Sequence, residues 1–530
     1  MSKYDVLIAG SGIGGMMCGA LLAHAGLKVY VIEREDRLGG CLVSFAGSEI
    51  GRKMPLAKYH KMKRNIVDQW EVRVFPEWPD ILNNNLLDGY HLDMGVHIFF
   101  QGGKNCLTYK KLGLDLDWYK LEAPRLFDGK NYLKIEPTKD PEKIQVMMTE
   151  LSQIVPELAL TDLMNIMGSL MEFDVRTINR CNNRSLWEWL VNDVNVQTTV
   201  VQDMMQTLVG AIVQTINNPR EITLGETIRC FKALFDQDIF VGMPAPRASK
   251  VIEELERYIT NRGGKCERNI GLKRFIIENG TCLGVEVETD GKKTSIEAPI
   301  VISNVKLYSA MRQGIIDEDQ FPSRWIKEVK TIEPAGAVVY YLGLNKMLIP
   351  EEYRTSTITC SNVLSWENML YPNTANLSRS RVDDWDIRFS WVVDSEVDKN
   401  RAPAGKHLIA AWFPLRFEGL YDFRRCEIAL DASLDKLEAF YPGFKKSIDW
   451  MIADSVPLGL GTMESPFWHD KKPSFKAPNI KNLYFVGDTI ESIGPAMDTG
   501  THSSFLVAGE ITGKDYFEEM NIPLYWRDLG

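Results

Sequence analysis

At 530 residues the chain exceeds what one ordinary core can bury, so two or more domains are expected. With 45% apolar and 25% charged residues its composition is globular, which excludes disorder as the main theme. A formal net charge of −10 weighs against a nucleic-acid partner, because phosphate binding requires a basic surface.

In chain order, Lys3 to Ala9 (KYDVLIA) is a short apolar run suited to a strand buried on both faces. It passes into Gly10-Ser11-Gly12-Ile13-Gly14-Gly15, then into an apolar-periodic helix, Met16 to Ala25, with Gly26 as its C-cap. A second strand, Lys28 to Ile32, ends at Glu33. Each part has a task in a dinucleotide site. Gly10 permits the tight turn, Gly12 lets backbone N–H groups approach a pyrophosphate, and Gly15 lets helix pack on strand. The helix N-terminus, around Ile13 and Gly14, offers unpaired donors and partial positive charge to the phosphates. Glu33, about 20 residues on, is placed to accept ribose hydroxyls. A glycine-rich loop alone is a weak signal. Strand, helix, strand and acid in this order predict an α/β fold with a Rossmann-like, mostly parallel sheet.

Between Arg52 and Arg64 stand Arg52, Lys53, Lys58, Lys61, Lys63 and Arg64 with no acid among them. This is either a solvated charged face or a site for an anionic substrate group or anionic lipid. The stretch from about 105 to 240 reads as helical, with Met147, Met148, Met164, Met167, Met171, Met204 and Met205 on apolar runs. These methionines suit either ordinary helix core or an adaptable apolar cavity. Ser249 to Asn261 is an amphipathic helix, followed by alternating strands through Leu272 and Val287 with turns at Asn279-Gly280 and Asp290-Gly291. Ala298 to Asn304 (APIVISN) is another buried strand. From 310 to 475, alternating runs carry Tyr341, Trp391 and Trp412. Those three are candidate cavity-wall residues, although buried aromatics need no function. Asn482 to Asp488 (NLYFVGD) is a strand ending in Gly487-Asp488, followed by a loop and a helix from about Asp498 to Ile511.

Arg34 to Gly40 reads REDRLGG, and this acid-then-Gly-Gly extension resembles flavoproteins of the amine oxidase and phytoene desaturase superfamily. The resemblance implies FAD as cofactor, with Arg34, Gly39 and Gly40 near it and backbone around Leu272 meeting the adenine. It further implies that Asp488 bonds the ribityl chain, and that N–H groups around Met497 and Asp498 face the flavin's pyrimidine edge. A helix N-terminus there would stabilise an anionic reduced flavin. The family usually carries Arg or Lys after the glycine pair; this chain has Cys41. That departure removes a phosphate-binding cation and brings in a thiol, either bonded to flavin or simply packed. His91 to Phe99 (HLDMGVHIF) resembles a flavin-facing loop of desaturase and isomerase relatives. It offers His97, with Asp93, as an acid–base candidate, a structural histidine being the plain alternative.

The resemblance implies an oxidoreductase that desaturates, saturates or isomerises carbon–carbon bonds of an apolar or conjugated small molecule, with or without an anionic group. An amine-oxidase-like activity and a non-catalytic flavin-bound scaffold remain alternatives. The carotenoid-type His-Pro-Gly or Trp-Pro-Gly run after Gly487-Asp488 is replaced here by Glu491-Ser492-Ile493-Gly494-Pro495-Ala496-Met497. Cofactor-domain segments are expected at 1–104, 241–309 and 476–515, substrate-domain segments at 105–240 and 310–475, and a tail at 516–530. Nine cysteines without a CxxC pair and seven histidines without HxxxH spacing weigh against a zinc or iron–sulfur site. Scattered cysteines with no leader predict a cytoplasmic protein, touching membranes at most at the surface.

Overall fold

The computed structural model describes residues 3–95, 98–121, 125–127, 132–134, 140–152, 157–198, 201, 205, 222–236, 241–332, 334–354, 357–359, 389–415, 419–459, 471–495 and 497–527. A five-stranded sheet carries the strands Lys265–Glu267, Val29–Ile32, Val6–Ala9, Ile300–Ser303 and Leu483–Phe485, in that spatial order. All four pairings are parallel. The helix Ile13–His24 is buried from Gly14 to Ala23, as its all-round apolar sequence requires. It lies between the sheet and the helices Ser249–Thr260 and Asp498–Thr512. A Cβ on Gly19 would stand 3.0 Å from Ile259 and 3.4 Å from Ile8, and Ser504 Oγ donates to Gly14 O at 2.8 Å.

The expected meander forms three antiparallel strands, Gly271–Glu278, Thr281–Thr289 and Lys292–Glu297. Both of its turns place two successive residues at positive φ, 49° and 71° at Asn279-Gly280 and 50° and 77° at Asp290-Gly291, the geometry Asn-Gly and Asp-Gly favour.

A second, eight-stranded sheet orders Trp70–Phe75, Ile448–Gly459, Ala335–Leu344, His407–Leu415, Ser390–Val393, Thr357–Thr359, Arg125–Phe127 and Tyr132–Lys134. One face packs on the helix Phe423–Phe440; the other packs on cofactor-side elements, including Phe45, Tyr59 and Leu92. The strand Trp70–Phe75, grouped with the cofactor domain on sequence, pairs with Ile448–Gly459 in this large sheet instead. The first insertion is not wholly helical, since strands at Asp117–Lys120, Arg125–Phe127 and Tyr132–Lys134 open it. Nor do residues 516–527 hang free: Tyr516, Met520, Ile522 and Trp526 join the core around the first helix. Apolar surface decides that outcome, not position in the chain.

Among the described residues no helix is long and apolar enough to cross a membrane. No cluster there could hold a metal ion, and their eight cysteines are all free.

Candidate functional site

The parallel sheet reverses its order between Val6–Ala9 and Ile300–Ser303, so a crevice opens beyond the carboxyl ends of those strands. Gly10 turns the chain at a φ of 99°, with its N–H on Ile32 O at 2.9 Å. A Cβ on Gly15 would overlap Gly10 O, the close helix–strand packing expected of that glycine. The helix Ile13–His24 has no side-chain cap at Gly12, and its first internal bond is Met16 N–H to Gly12 O at 3.0 Å. Its opening N–H groups therefore point into the crevice.

Four distant segments close on this turn. Gly40, at a φ of 57°, would place a Cβ 3.2 Å from Gly12 Cα. Asn304, held by its N–H to Ala9 O at 2.8 Å, lies across the loop. Its amide would stand 2.7 Å from a Cβ on Gly12, 2.8 Å from one on Gly14 and 3.2 Å from one on Gly487. A Gly14 Cβ would also stand 3.1 Å from Gly487 N, and a Gly500 Cβ 3.3 Å from Gly14 N. Asn304 was missed as a site residue. The only sequence signal was a polar residue ending an apolar strand. This cradle is built from backbone, which is what a diphosphate needs, so the residues present fit a dinucleotide.

Glu33 stands at the end of its strand, where Oε2 accepts from Ser11 N–H at 3.0 Å and Ser11 Oγ at 2.6 Å, and Oε1 from Glu35 N–H at 2.9 Å. Lone pairs remain for a ribose. Ile270 N–H donates to Glu33 O at 2.8 Å, and the stem of Arg34 lies 3.3 Å from a Cβ on Gly271. Leu272 follows two residues after that contact. Gly39, at a φ of 123°, donates to Ser11 Oγ at 3.0 Å.

Beyond Gly487 the Asp488 carboxylate lies 3.6 Å from Lys306 Nζ. Burial pushes the Cys41 thiol up, an effect offset in part by Lys306 and reinforced by Asp488. For Lys306, burial works against the charge, but Asp488, Tyr308 and Cys41 together hold its ammonium above the ordinary lysine range. Beneath the loop, Lys472 Nζ donates to Asp488 O at 2.8 Å and Ser492 Oγ at 3.3 Å. Burial brings its pKa down to about 7.

Asp498 does not offer the contact expected of it. Its N–H donates to Pro495 O at 3.0 Å. Its carboxylate instead caps the helix Lys104–Leu112, accepting from Lys104 N–H at 3.0 Å and Asn105 N–H at 2.9 Å. An acid at the start of one helix has been taken by the orphan donors of another. Met497 keeps the N-cap position.

The wall residues separate by strand alternation. Trp412 faces Val339 and Ser390 across the ladder, and Tyr341 faces Ala410; both side chains pack toward the cofactor side, where Cys41 also packs. Trp391, opposite Ala411, is on the reverse face, fully buried under the helix Phe423–Phe440 with Nε1 on Tyr353 O at 3.2 Å. It cannot line a cavity shared with the other two, because neighbouring residues on a strand point to opposite faces.

Asp93 is committed. It accepts from Ser44 Oγ at 2.5 Å and Arg401 Nη1 at 2.6 Å, both Asp93 and Arg401 being buried, and its carbonyl accepts from Tyr341 OH at 2.7 Å. His97 and Met204 lie outside the described residues. Met205 is core, whereas Met164 is exposed, so the methionines do not form one lining. Four of the six basic residues of the run have partners within the chain, while Lys53 and Lys61 are exposed: Arg52 pairs with Asp88, Lys58 with Asp36 and buried Lys63 with Asp454, and Arg64 lies over Trp70.

A family model described as an NAD(P)-binding Rossmann-like domain matches residues 8–60. The chain is 22% identical over 349 residues to an all-trans-retinol 13,14-reductase of Rattus norvegicus, covering 63% of this chain and 52% of the rat protein. It thus spans about half the length of that relative. Over 526 residues it is 19% identical to the chloroplastic prolycopene isomerase of Daucus carota, covering 92% of this chain and 76% of the carrot protein. An oxidoreductase from Methanosarcina mazei shares the fold, with a TM-score of 0.64 at 16% identity over 95% of this chain and 99% of that one. Cradle and sheet order define the class, a dinucleotide-binding α/β protein. Within that class, the chain is similar, at 22% and 19% identity, to a retinol reductase and a carotenoid isomerase.

Proposed function

We propose that the protein binds FAD and desaturates, saturates or isomerises carbon–carbon bonds of an apolar or conjugated substrate. The observation that carries this reading is the meeting of Gly12, Gly14, Gly40, Asn304, Gly487 and Gly500 at the mouth of the first helix. The relatives' names, a 13,14-reductase of retinol and an isomerase of prolycopene, support chemistry on carbon–carbon bonds.

Bound flavin supplies a centre that takes or gives a hydride. The chain's own residues then have separable tasks. The loop Gly10–Gly15 holds the diphosphate, Glu33 the ribose hydroxyls and Asp488 the ribityl chain. Tyr341 and Trp412 form an apolar wall that keeps water from the reacting carbon. His97 takes or returns the proton, and Asp93 is itself held by Arg401.

The test is anaerobic photoreduction of the purified holoprotein, followed by addition of conjugated alkenes, retinol among them. Return of the flavin's visible absorbance with a saturated product supports the reading. So does bleaching of oxidised flavin by the saturated partner. A protein that stays colourless after refolding with FAD refutes it, and one whose flavin responds only to amines replaces it with carbon–nitrogen oxidation.

A further inference from the structure

A cationic side chain would add to the backbone donors that the crevice offers a diphosphate, and the basic side chains around it divide sharply. Arg34 is drawn away, with Nη1 on Gln313 Oε1 at 2.7 Å and Nη2 on Asn65 O at 2.5 Å. Arg37 is bound to Glu49 at 3.2 Å. Lys472 is turned beneath the loop to Asp488 O and Ser492. Lys306 differs. It stands two residues beyond Asn304, whose amide crosses the glycine turn. The next peptide is pinned by Leu307 N–H on Thr489 Oγ1 at 3.3 Å. Its ammonium lies 3.6 Å from Asp488, the residue after Gly487, and feels Tyr308 and Cys41, the residue after Gly40, as well.

We infer that Lys306 is the cation that binds the dinucleotide's diphosphate, supplied from the end of the strand Ile300–Ser303 in a chain that has Cys41 beside the glycine pair. In the free protein Asp488 holds the ammonium in place. On binding, the phosphate oxygens share it, and the Asp488 carboxylate is released in part toward the ribityl hydroxyls. A lysine suits this exchange because its point charge moves on a flexible stem between two anions. The inference rests on the FAD reading above, whose failure is read separately.

Binding of FAD and of riboflavin, which has no phosphate, is measured on apoprotein by fluorescence quenching over a range of salt concentration. Wild type, Lys306→Met and Lys306→Arg are compared. A charged hydrogen bond of this kind predicts FAD binding weakened about 10- to 100-fold in Lys306→Met and largely restored in Lys306→Arg. The salt dependence becomes shallower in Lys306→Met, and riboflavin affinity is unchanged. Equal FAD affinity in wild type and Lys306→Met overturns the inference, as does an equal loss for riboflavin. Should Lys306→Met not fold, Lys306→Gln carries the same comparison. Wild type that binds riboflavin and FAD equally also overturns it, whereas wild type that binds neither overturns the FAD reading itself.

Discussion

Replacing Arg401 by Met tests how the large sheet is joined to the cofactor layer. Arg401 is 2% exposed; Nη1 donates to Asp93 Oδ2 at 2.6 Å and lies 3.7 Å from Asp394 Oδ2, while Nη2 donates to Pro246 O at 3.3 Å. Methionine keeps much of the volume but removes the charge. The Asp93 carboxylate, 3% exposed, keeps Ser44 Oγ and Ala248 N–H as donors but loses its charged partner. Breaking one side of a buried pair costs about 3–5 kcal/mol. The lower end applies here, because Asp394, pushed up to about 7 by burial against the pull of Arg401, takes a proton more readily once the guanidinium is gone. The expected loss near neutral pH is about 3 kcal/mol. The double variant Asp93→Asn/Arg401→Met leaves one charge fewer uncompensated and should recover part of it. Urea unfolding followed by tryptophan fluorescence reads both. A single variant within about 0.5 kcal/mol of wild type, or a double variant as unstable as the sum of the singles, would refute the reasoning.

Gly15→Val should yield protein without flavin, because its side chain meets Gly10 O and Asn304 Cβ and forces the helix N-terminus off its strand; the absorbance ratio of purified protein decides, and a normal ratio contradicts the cradle. Trp391→Ala and Trp412→Ala should part company. The first, buried under Phe423–Phe440, should lose about 3–5 kcal/mol of stability with turnover intact in the folded fraction, and the second should alter KM or kcat with a smaller stability change. Asp394 titrates at about 7 when folded, so its contribution to stability is fully present below the unfolded aspartate pKa of about 4 and is lost as pH rises through 7. Asp394→Asn should flatten the fall of Tm across that window, and an unchanged slope would assign the pH dependence elsewhere.

Much of the cofactor site could be read locally. The turn at Gly10, the packing at Gly15, the acid at Glu33 and the Asn-Gly and Asp-Gly turns are short-range demands of backbone geometry, so the residues that meet them stand in register in the chain. Asn304 and Lys306 escaped notice because their task depends on where the strand Ile300–Ser303 lands beside the first one, a pairing across nearly three hundred residues. Asp498 misled for a related reason. An acid opening a helix looks like a contribution to that helix, but here the nearest unpaired N–H groups belonged to Lys104 and Asn105. The aromatic strands announced themselves by alternation, yet which face Trp391 took required the ladder register with Ala411.

By itself, then, the sequence determined the nucleotide-binding half: a strand, a glycine turn, a helix and an acid whose meaning is fixed by bond geometry over a few residues. Only tertiary structure decided which side chains surround that turn, which face of the large sheet looks toward it, and that Trp70–Phe75 and the C-terminal residues pack far from where chain order would put them. The reason is physical. Local conformation follows from sterics and hydrogen bonding between neighbours, whereas partners in a buried site are chosen by which apolar faces and unpaired polar groups meet when distant segments pack.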